Sequence, residues 1–423
     1  MSTFVPKTNV PTRNRASSRV SSHEKEKNRR VLWILNHTTL LEWEVPMLRE
    51  LGFEVYVPKK LPVGPNSRTA TVTDAHDRSL SIPSADLEHL NTVNFYDSPL
   101  DAQTARIINR HFGNCISASI YPGLYYILKA FTGRIFMRAF GHAGAIDYEE
   151  ATATIPKDSL ESGSFFHFRQ EARKLFHSVL NRRRVAARVA FRNTVMMEMY
   201  ACRHRIYLAA AYREIIDNER AFLKARSLYL PLALPPSIMR TRHSWNPEDN
   251  RVLFICPNID QIDYYRRIYL QFKEELGHFP YCIAGRQDLN GVNVPLTTRD
   301  PNILGHVERR ELDKLMRTCS CMFYHSQEPR HLHYHPLEAI VTGMPLVFMA
   351  GGLLETLGGS DQPGKCTTYE EARNKISRLQ RGDVGLQKSI CSQQQRILES
   401  FMPDYCARVW RETFRPIAMG DQE

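Results

Sequence analysis

Short unbroken apolar runs alternate along this chain with longer stretches in which apolar residues recur at helical spacing. The first run, Val31-Leu32-Trp33-Ile34-Leu35, suits a strand buried on both faces and gives way to the polar Asn36, His37, Thr38 and Thr39. From Leu40 to Leu51 the apolar positions Leu41, Val45, Leu48 and Leu51 share one helix face, and Gly52 is a natural helix stop. Phe53 to Pro58 then reads as a second strand. A strand, helix, strand succession with short joints opens a doubly wound α/β sheet. Residues 59–95, rich in Pro, Ser, Thr and Asp, read as an irregular insertion. Order returns with the apolar run Cys115 to Ile120, a helix from Gly123 to Phe131, and a strand from Arg134 to Phe140 that runs into Gly141-His142-Ala143-Gly144.

A basic helical region follows, and the proline-rich stretch from Tyr229 to Pro236 is the best interdomain linker. Beyond it a second strand and helix series begins. Val252 to Cys256 is a strand, Tyr264 to Leu276 a helix closed by Gly277, and Tyr281 to Gly285 a strand. After Asn302 to Val307 and a helix from Glu308 to Cys319 comes a buried strand, Cys321 to Tyr324, then a loop crowded with His and Arg. A helix opened by Pro336 leads to a break at Gly343, and the strand Leu346 to Met349 ends in Gly351-Gly352. Lys375 to Leu379 and Lys388 to Met402 look helical, and Trp410 sits in a last amphipathic helix. The expected layout is therefore a basic disordered tail over 1–30, a first Rossmann-like domain over 31–232, and a second over 233–395. Residues 396–423 are expected as C-terminal helices packing back on the first domain.

Length agrees, because 423 residues exceed what one core supports. The net charge of +11 sits in two places. Residues 1–30 hold eight Lys/Arg against two Glu, and residues 164–205 hold ten against two. The second segment offers a surface to anionic lipid, a polyanionic acceptor or nucleic acid. Its arginines are not interleaved with regular stacking aromatics, which argues against nucleic acid. Nine scattered cysteines read as reduced core residues of a cytoplasmic protein, and Cys319-x-Cys321 lacks a partner pair at zinc spacing. The N-terminus carries no signal-like apolar core, and the run from Ala339 to Leu354 is broken by glycine and proline short of the ~20 residues that span a bilayer.

The stretch from Cys319 to Gly352 holds the clearest chemistry. A strand, loop, helix, strand unit brings a helix N-terminus to the carboxyl edge of a parallel sheet, where nucleotides bind. Pro336 suits the first helical position, which places Glu338 in the first turn, where its carboxylate could accept hydrogen bonds from a sugar diol. His37 ends the first strand where a glycine-rich dinucleotide loop would otherwise stand. His142 follows a buried strand, and neutral imidazole both donates and accepts. Arg286 emerges beside Gly285, where a guanidinium could meet a diphosphate in bidentate fashion.

Gly305-His306-Val307 with Glu311-Leu312 and Leu315-Met316, then Cys321 to Ser326, then Pro336-Leu337-Glu338-Ala339 with Gly343, Pro345, Leu346 and Val347 form one ordered succession. In it the chain resembles the GT-B glycosyltransferases, particularly the retaining group that uses nucleotide sugars. The resemblance implies two Rossmann-like α/β domains facing each other across a cleft. It implies a sugar transferred from a nucleotide donor to a hydroxyl of a glycan or glycolipid, with no metal and no further cofactor. It implies that Glu338 holds the ribose, that Arg286 neutralises the diphosphate, that His142 touches the donor sugar, and that His335 stands in the donor site. His37 is a candidate near the acceptor. Retaining members often carry a second Glu eight positions before the ribose-binding one. Here that position is Arg330, with Glu328 two residues earlier, so either Glu328 serves or Arg330 reflects a different phosphate or sugar arrangement. A nucleotide-sugar epimerase of the same fold is the alternative, and a basic scaffold or nucleic-acid-binding protein is the rival from another class.

Overall fold

The computed structural model describes residues 22–61, 80–118, 123–140, 190, 193–217, 219–260, 263–287 and 300–421. Its strands form two six-stranded parallel sheets. The first sheet contains β1 (Arg30–Ile34), β2 (Glu54–Tyr56), β3 (Asn114–Ala118), β4 (Arg134–Ala139), β5 (Ile206–Ala210) and β6 (Ser227–Tyr229), in spatial order β2-β1-β3-β4-β5-β6. The second contains β7 (Asp249–Ile255), β8 (Tyr281–Ala284), β9 (Ile303–Gly305), β10 (Cys319–Tyr324), β11 (Leu346–Met349) and β12 (Lys365–Cys366), in order β12-β11-β10-β7-β8-β9. Strand order reverses between β1 and β3 in one sheet and between β7 and β10 in the other. A crevice opens beyond the carboxyl ends of the strands at such reversals, and ligands of open α/β sheets bind there.

The central strands are apolar because both their faces are covered. β1, β5, β8, β10 and β11 are buried along their whole lengths. Seven of the nine cysteines are buried, and none forms a disulfide.

The last helix, Pro403–Met419, returns to the first sheet. Phe414 packs against Phe53 and Phe136 with ring centroids 5.4 and 4.6 Å away. Trp410 Nε1 donates to the carbonyl of Pro231 at 3.1 Å, and Asn114 Nδ2 donates to that of Ala418 at 3.1 Å. The short helix before it, Gln395–Leu398, still packs on the second domain's helices Tyr334–Thr342 and Leu353–Gly358, so the chain crosses at Glu399–Phe401 rather than at 396.

Under the return helix lies an ion pair without access to water. Arg138 Nη2 donates to Glu44 Oε1 at 2.8 Å, and the two side chains are 0% and 1% exposed. Arg138 Nη1 donates to the carbonyl of Leu230 at 2.6 Å, Trp33 Nε1 donates to Glu44 Oε2 at 3.0 Å, and the guanidinium lies 5.0 Å from the Trp410 ring.

Three expectations change. The tail gives way at Ser22 to a helix, Ser22–Asn28, and Arg30 opens β1 with its guanidinium buried against Glu26 and Glu54. Basic composition looks disordered in a sequence when its acidic partner, here Glu54, lies on the next strand. Within the expected irregular insertion, Ser84–Asn91 is helical. The helix expected from Pro336 begins at Tyr334, so Pro336 is its third residue. The first turn has no intrahelical use for its N–H groups, so proline fits there as well as at the first position. Glu338 consequently lies beyond the first turn and gains little from the helix dipole.

Removing one partner of a dry ion pair leaves a buried charge, which costs about 3–5 kcal/mol. Glu44→Ala should destabilise the protein by that order in denaturant unfolding, and adding Arg138→Met should recover part of the loss. Equal stability of Glu44→Ala and wild type would show the pair to be without consequence.

Candidate functional site

The loops that end β7, β8 and β10, together with the start of helix Tyr334–Thr342, gather at the carboxyl edge of the second sheet. Several are held by backbone constraints. Gly285 has φ +136°, and a Cβ there would lie 2.9 Å from the nitrogen of Pro257, so the end of β8 can pass beneath the β7 loop only as glycine. Gln287 fastens the same junction, with Nε2 donating to the carbonyls of Cys256 and Gly285, both at 2.8 Å. Asn258 sits in the left-handed region at φ 51°, and its N–H donates to the carbonyl of Arg286 at 2.7 Å. The Arg286 backbone is thereby fixed while its side chain is exposed. On the other flank a Cβ on Gly352 would come within 2.7 Å of the Ser326 carbonyl oxygen, so this glycine admits the loop after β10. Leu353 N–H then donates to the carbonyl of Glu328 at 3.0 Å.

Glu338 is 5% exposed, and its Oε2 accepts from Arg309 Nη1 at 2.9 Å. Arg309 opens the helix Arg309–Thr318 and also pairs with Asp313, at 2.5 Å. Arg330 is buried, and both its Nε and its backbone N–H approach Glu328 Oε1, at 3.4 and 3.2 Å.

Three buried polar atoms on this edge have no hydrogen-bond partner: Asn258 Oδ1, His325 Nδ1 and His335 Nδ1. Each such atom costs roughly 1–3 kcal/mol in a folded protein. His325 stands edge-on to Phe254, 5.6 Å between centroids, and burial lowers its pKa to about 4. Burial also lowers the pKa of His335, with Glu338 opposing. Both rings are neutral at pH 7.

The His-rich loop joins the two domains. His331 Nδ1 donates to the carbonyl of Phe140 at 2.6 Å, Tyr212 Oη to that of Leu332 at 2.9 Å, and Tyr334 Oη to that of Ala233 at 3.2 Å. The Tyr334 ring lies 6.4 Å from that of His37. His37 caps the helix Thr38–Glu50, its Nδ1 accepting from Leu40 N–H at 3.3 Å. It is open to solvent yet surrounded by enough protein to lower its pKa to about 4, as expected of a residue on a crevice wall. Because Nδ1 is an acceptor in the cap, the proton of the neutral ring resides on Nε2.

Among solved structures the chain is similar to sucrose-phosphate synthase from Thermosynechococcus elongatus, at 10% identity and a TM-score of 0.52, over 90% of this chain and 96% of that one. It is similar also to a glycosyltransferase from Rickettsia africae ESF-5, at 10% identity and a TM-score of 0.51, over 93% and 99% of the two chains. The fold is GT-B. No protein-family model matches the sequence, and no curated protein matches it.

Of the residues singled out in the sequence, Glu338, Arg286, Arg330, Glu328 and His335 all lie on the loops or helix start at the edge of the second sheet. His37 lies across from them, next to Tyr334. His142 falls outside the described residues, as does most of the basic segment 164–205. Arg309, Asn258 and His325 were not singled out. Arg309 is one of two adjacent arginines at a helix start, and only its contact with Glu338 distinguishes it from Arg310. Asn258 after the strand at β7 was a legible turn residue, but its unpaired oxygen is a tertiary property. Among the described residues no group of three or more His, Cys, Asp or Glu could hold a metal ion, and no helix is long and apolar enough to cross a membrane.

His325 takes up a proton in the unfolded chain near its ordinary value of 6.5, but in the folded protein only near 4. The unfolded state therefore binds more protons between these values, and folding stability falls as pH drops from 6.5 towards 4. His325→Gln should show a shallower fall of Tm across that window. Parallel Tm profiles for variant and wild type would contradict the assignment.

Proposed function

We propose that the protein is a glycosyltransferase that moves a sugar from a nucleotide donor to a hydroxyl of a glycan or glycolipid acceptor. The observation that carries this reading is that the carboxyl edge of a GT-B fold's second sheet, where strand order reverses, carries the buried Glu338–Arg309 pair with His335 Nδ1 unpaired beside it, and two further unpaired buried atoms on Asn258 and His325. A site that leaves polar atoms unpaired in the free protein is preorganised for a polar ligand.

In this reading Glu338 accepts from the ribose hydroxyls, and Arg309 fixes the carboxylate in direction. Arg286, exposed at the end of β8, meets the diphosphate. Neutralising the charge that develops on this leaving group is the chief electrostatic task of glycosyl transfer. Arg330, restrained by Glu328, supplies a second cation on the same edge, and His335 contributes an unpaired ring nitrogen. His142 is the sequence's candidate for the donor sugar. His37 presents an Nε2–H donor and has its other nitrogen engaged, so its part is to orient a sugar hydroxyl by donating to it, not to remove its proton. The resemblance in sequence supports retention of anomeric configuration, and the scattered unpaired cysteines support a cytoplasmic site of action. Residues 164–205 are proposed as a peripheral contact with an anionic membrane or polyanionic acceptor.

A thermal-shift screen over nucleoside diphosphates should identify a stabilising nucleotide, since a ligand of the folded state alone raises apparent stability. With that nucleotide, Glu338→Ala should lower affinity roughly 10- to 100-fold, the loss of charge-assisted hydrogen bonds worth about 1.5–3 kcal/mol. Its folding should survive, because Arg309 retains Asp313. Unchanged affinity in calorimetry would remove Glu338 from the donor site. Conversion of the donor sugar without any acceptor would replace transfer with epimerisation.

A further inference from the structure

A second recognition element lies on the far side of the first sheet. His204 and Tyr207 stand at the amino end of β5, Ser227 opens β6, and Ile417 belongs to the last turn of the return helix. Together with Ala225, Arg226 and Leu228 they line a cavity of about 500 Å³. In a parallel sheet this edge is opposite the carboxyl edge that faces the interdomain crevice. The cavity therefore belongs to neither the donor nor the acceptor side of the proposed reaction. Its volume is within the range of small-molecule sites, roughly 300–1,000 Å³.

Its chemistry is one-sided. Arg226 lies over the Tyr207 ring at 4.3 Å and donates from Nη2 to the Tyr207 hydroxyl, so its plane is fixed. Its Nε is buried and has no hydrogen-bond partner. Arg30, Arg138 and Arg309 each meet a carboxylate, whereas no carboxylate lines this cavity among the described residues. His204 adds a second basic side chain, and Leu228 and Ile417 add apolar wall. A guanidinium held flat on the cavity wall with no internal anion beside it suits an oxyanion. The Arg226 charge with no carboxylate to offset it and the His204 ring as a further hydrogen-bonding group suit a phosphate, and the volume leaves room for a body attached to it.

We propose that this cavity binds a small phosphomonoester, with Arg226 as its anchor and His204 as the flanking base. The test is calorimetry of the full chain with glycerol 3-phosphate. Saturable binding at one site per chain is expected. Arg226→Gln should weaken it roughly tenfold or more, as loss of a charge-assisted fork does, and Arg226→Lys should fall between the two. Arg286→Gln should leave it unchanged. Absence of saturable binding to the wild type would overturn the proposal, as would wild-type affinity in Arg226→Gln. Loss of binding in Arg286→Gln would do the same by placing the phosphate in the crevice. If Arg226→Gln fails to fold, His204→Gln decides, because His204 is exposed and its replacement leaves the Arg226–Tyr207 contact intact. Weaker binding in His204→Gln supports the site, and unchanged binding refutes it.

Discussion

Arg138 is the residue on which the first domain closes. It rises from β4 with no access to water, and its guanidinium reaches Glu44 on the helix after β1, the carbonyl of Leu230 just past β6, and the ring of Trp410 on the returning helix. Glu44 in turn accepts from Trp33 on β1. Four segments far apart in sequence thus share one charge pair, and separating Arg138 from Glu44 would leave an uncompensated ion in a low-dielectric interior. The Leu230 carbonyl and the Trp410 ring add contacts that tie the linker and the returning helix to it. Trp410 also bonds to Pro231, so the same constraint sets where the chain leaves the first sheet for the second.

With that exit fixed, the loop after β10 carries part of the approach of the two sheets, and Glu42 of the first domain accepts from Ser237 beyond the linker. His331 and Leu332 bond to Phe140 and Tyr212 of the first domain, and Tyr334 bonds to Ala233 in the linker. The residues immediately after them, His335 to Glu338, belong to the candidate site. A shift between the domains must therefore alter the position of the helix start that carries Glu338. This couples closure of the cleft to the geometry of the site through covalent adjacency, with no intervening network required. The two edges also differ in kind. At the second sheet's edge Asn258, His325 and His335 carry unpaired buried atoms, and Asn258 is held at positive φ. Positive φ and unmet hydrogen bonds gathered at one sheet edge are features expected where a ligand completes the structure.

The parallel sheets were legible because their strands are short, mostly apolar runs separated by helical periodicity, and burial on both faces leaves few polar residues to blur the pattern. Three features were illegible. Arg30 looked like part of a charged tail because Glu54 is 24 residues away. The helix at Tyr334 was placed two residues late because Pro336 marks a first turn without saying which position in it. Arg309 was passed over because its partner is 29 residues downstream. For the two arginines the deciding interaction is a tertiary ion pair, about which local propensity is silent. Glu338 itself was found by its order within a succession of motifs, and the dipole argument offered for it fails now that the helix starts earlier.

That failure changes what keeps Glu338 competent. A carboxylate in the first turn is stabilised by the free N–H groups around it. One turn further on, almost fully buried, it requires a discrete counter-charge. Arg309 supplies it, and Asp313 holds Arg309 in turn. A sugar diol approaching Glu338 need not displace this guanidinium, because a carboxylate offers about four lone-pair directions and Arg309 occupies one oxygen. The arrangement therefore holds the carboxylate in place in the free protein and still lets it accept from two hydroxyls when a ligand arrives. A neutral partner in place of Arg309 would leave the buried carboxylate without a counter-charge. The counter-charge thus does for this helix position what the backbone dipole would have done two residues earlier, with the difference that it also fixes the direction of the carboxylate plane.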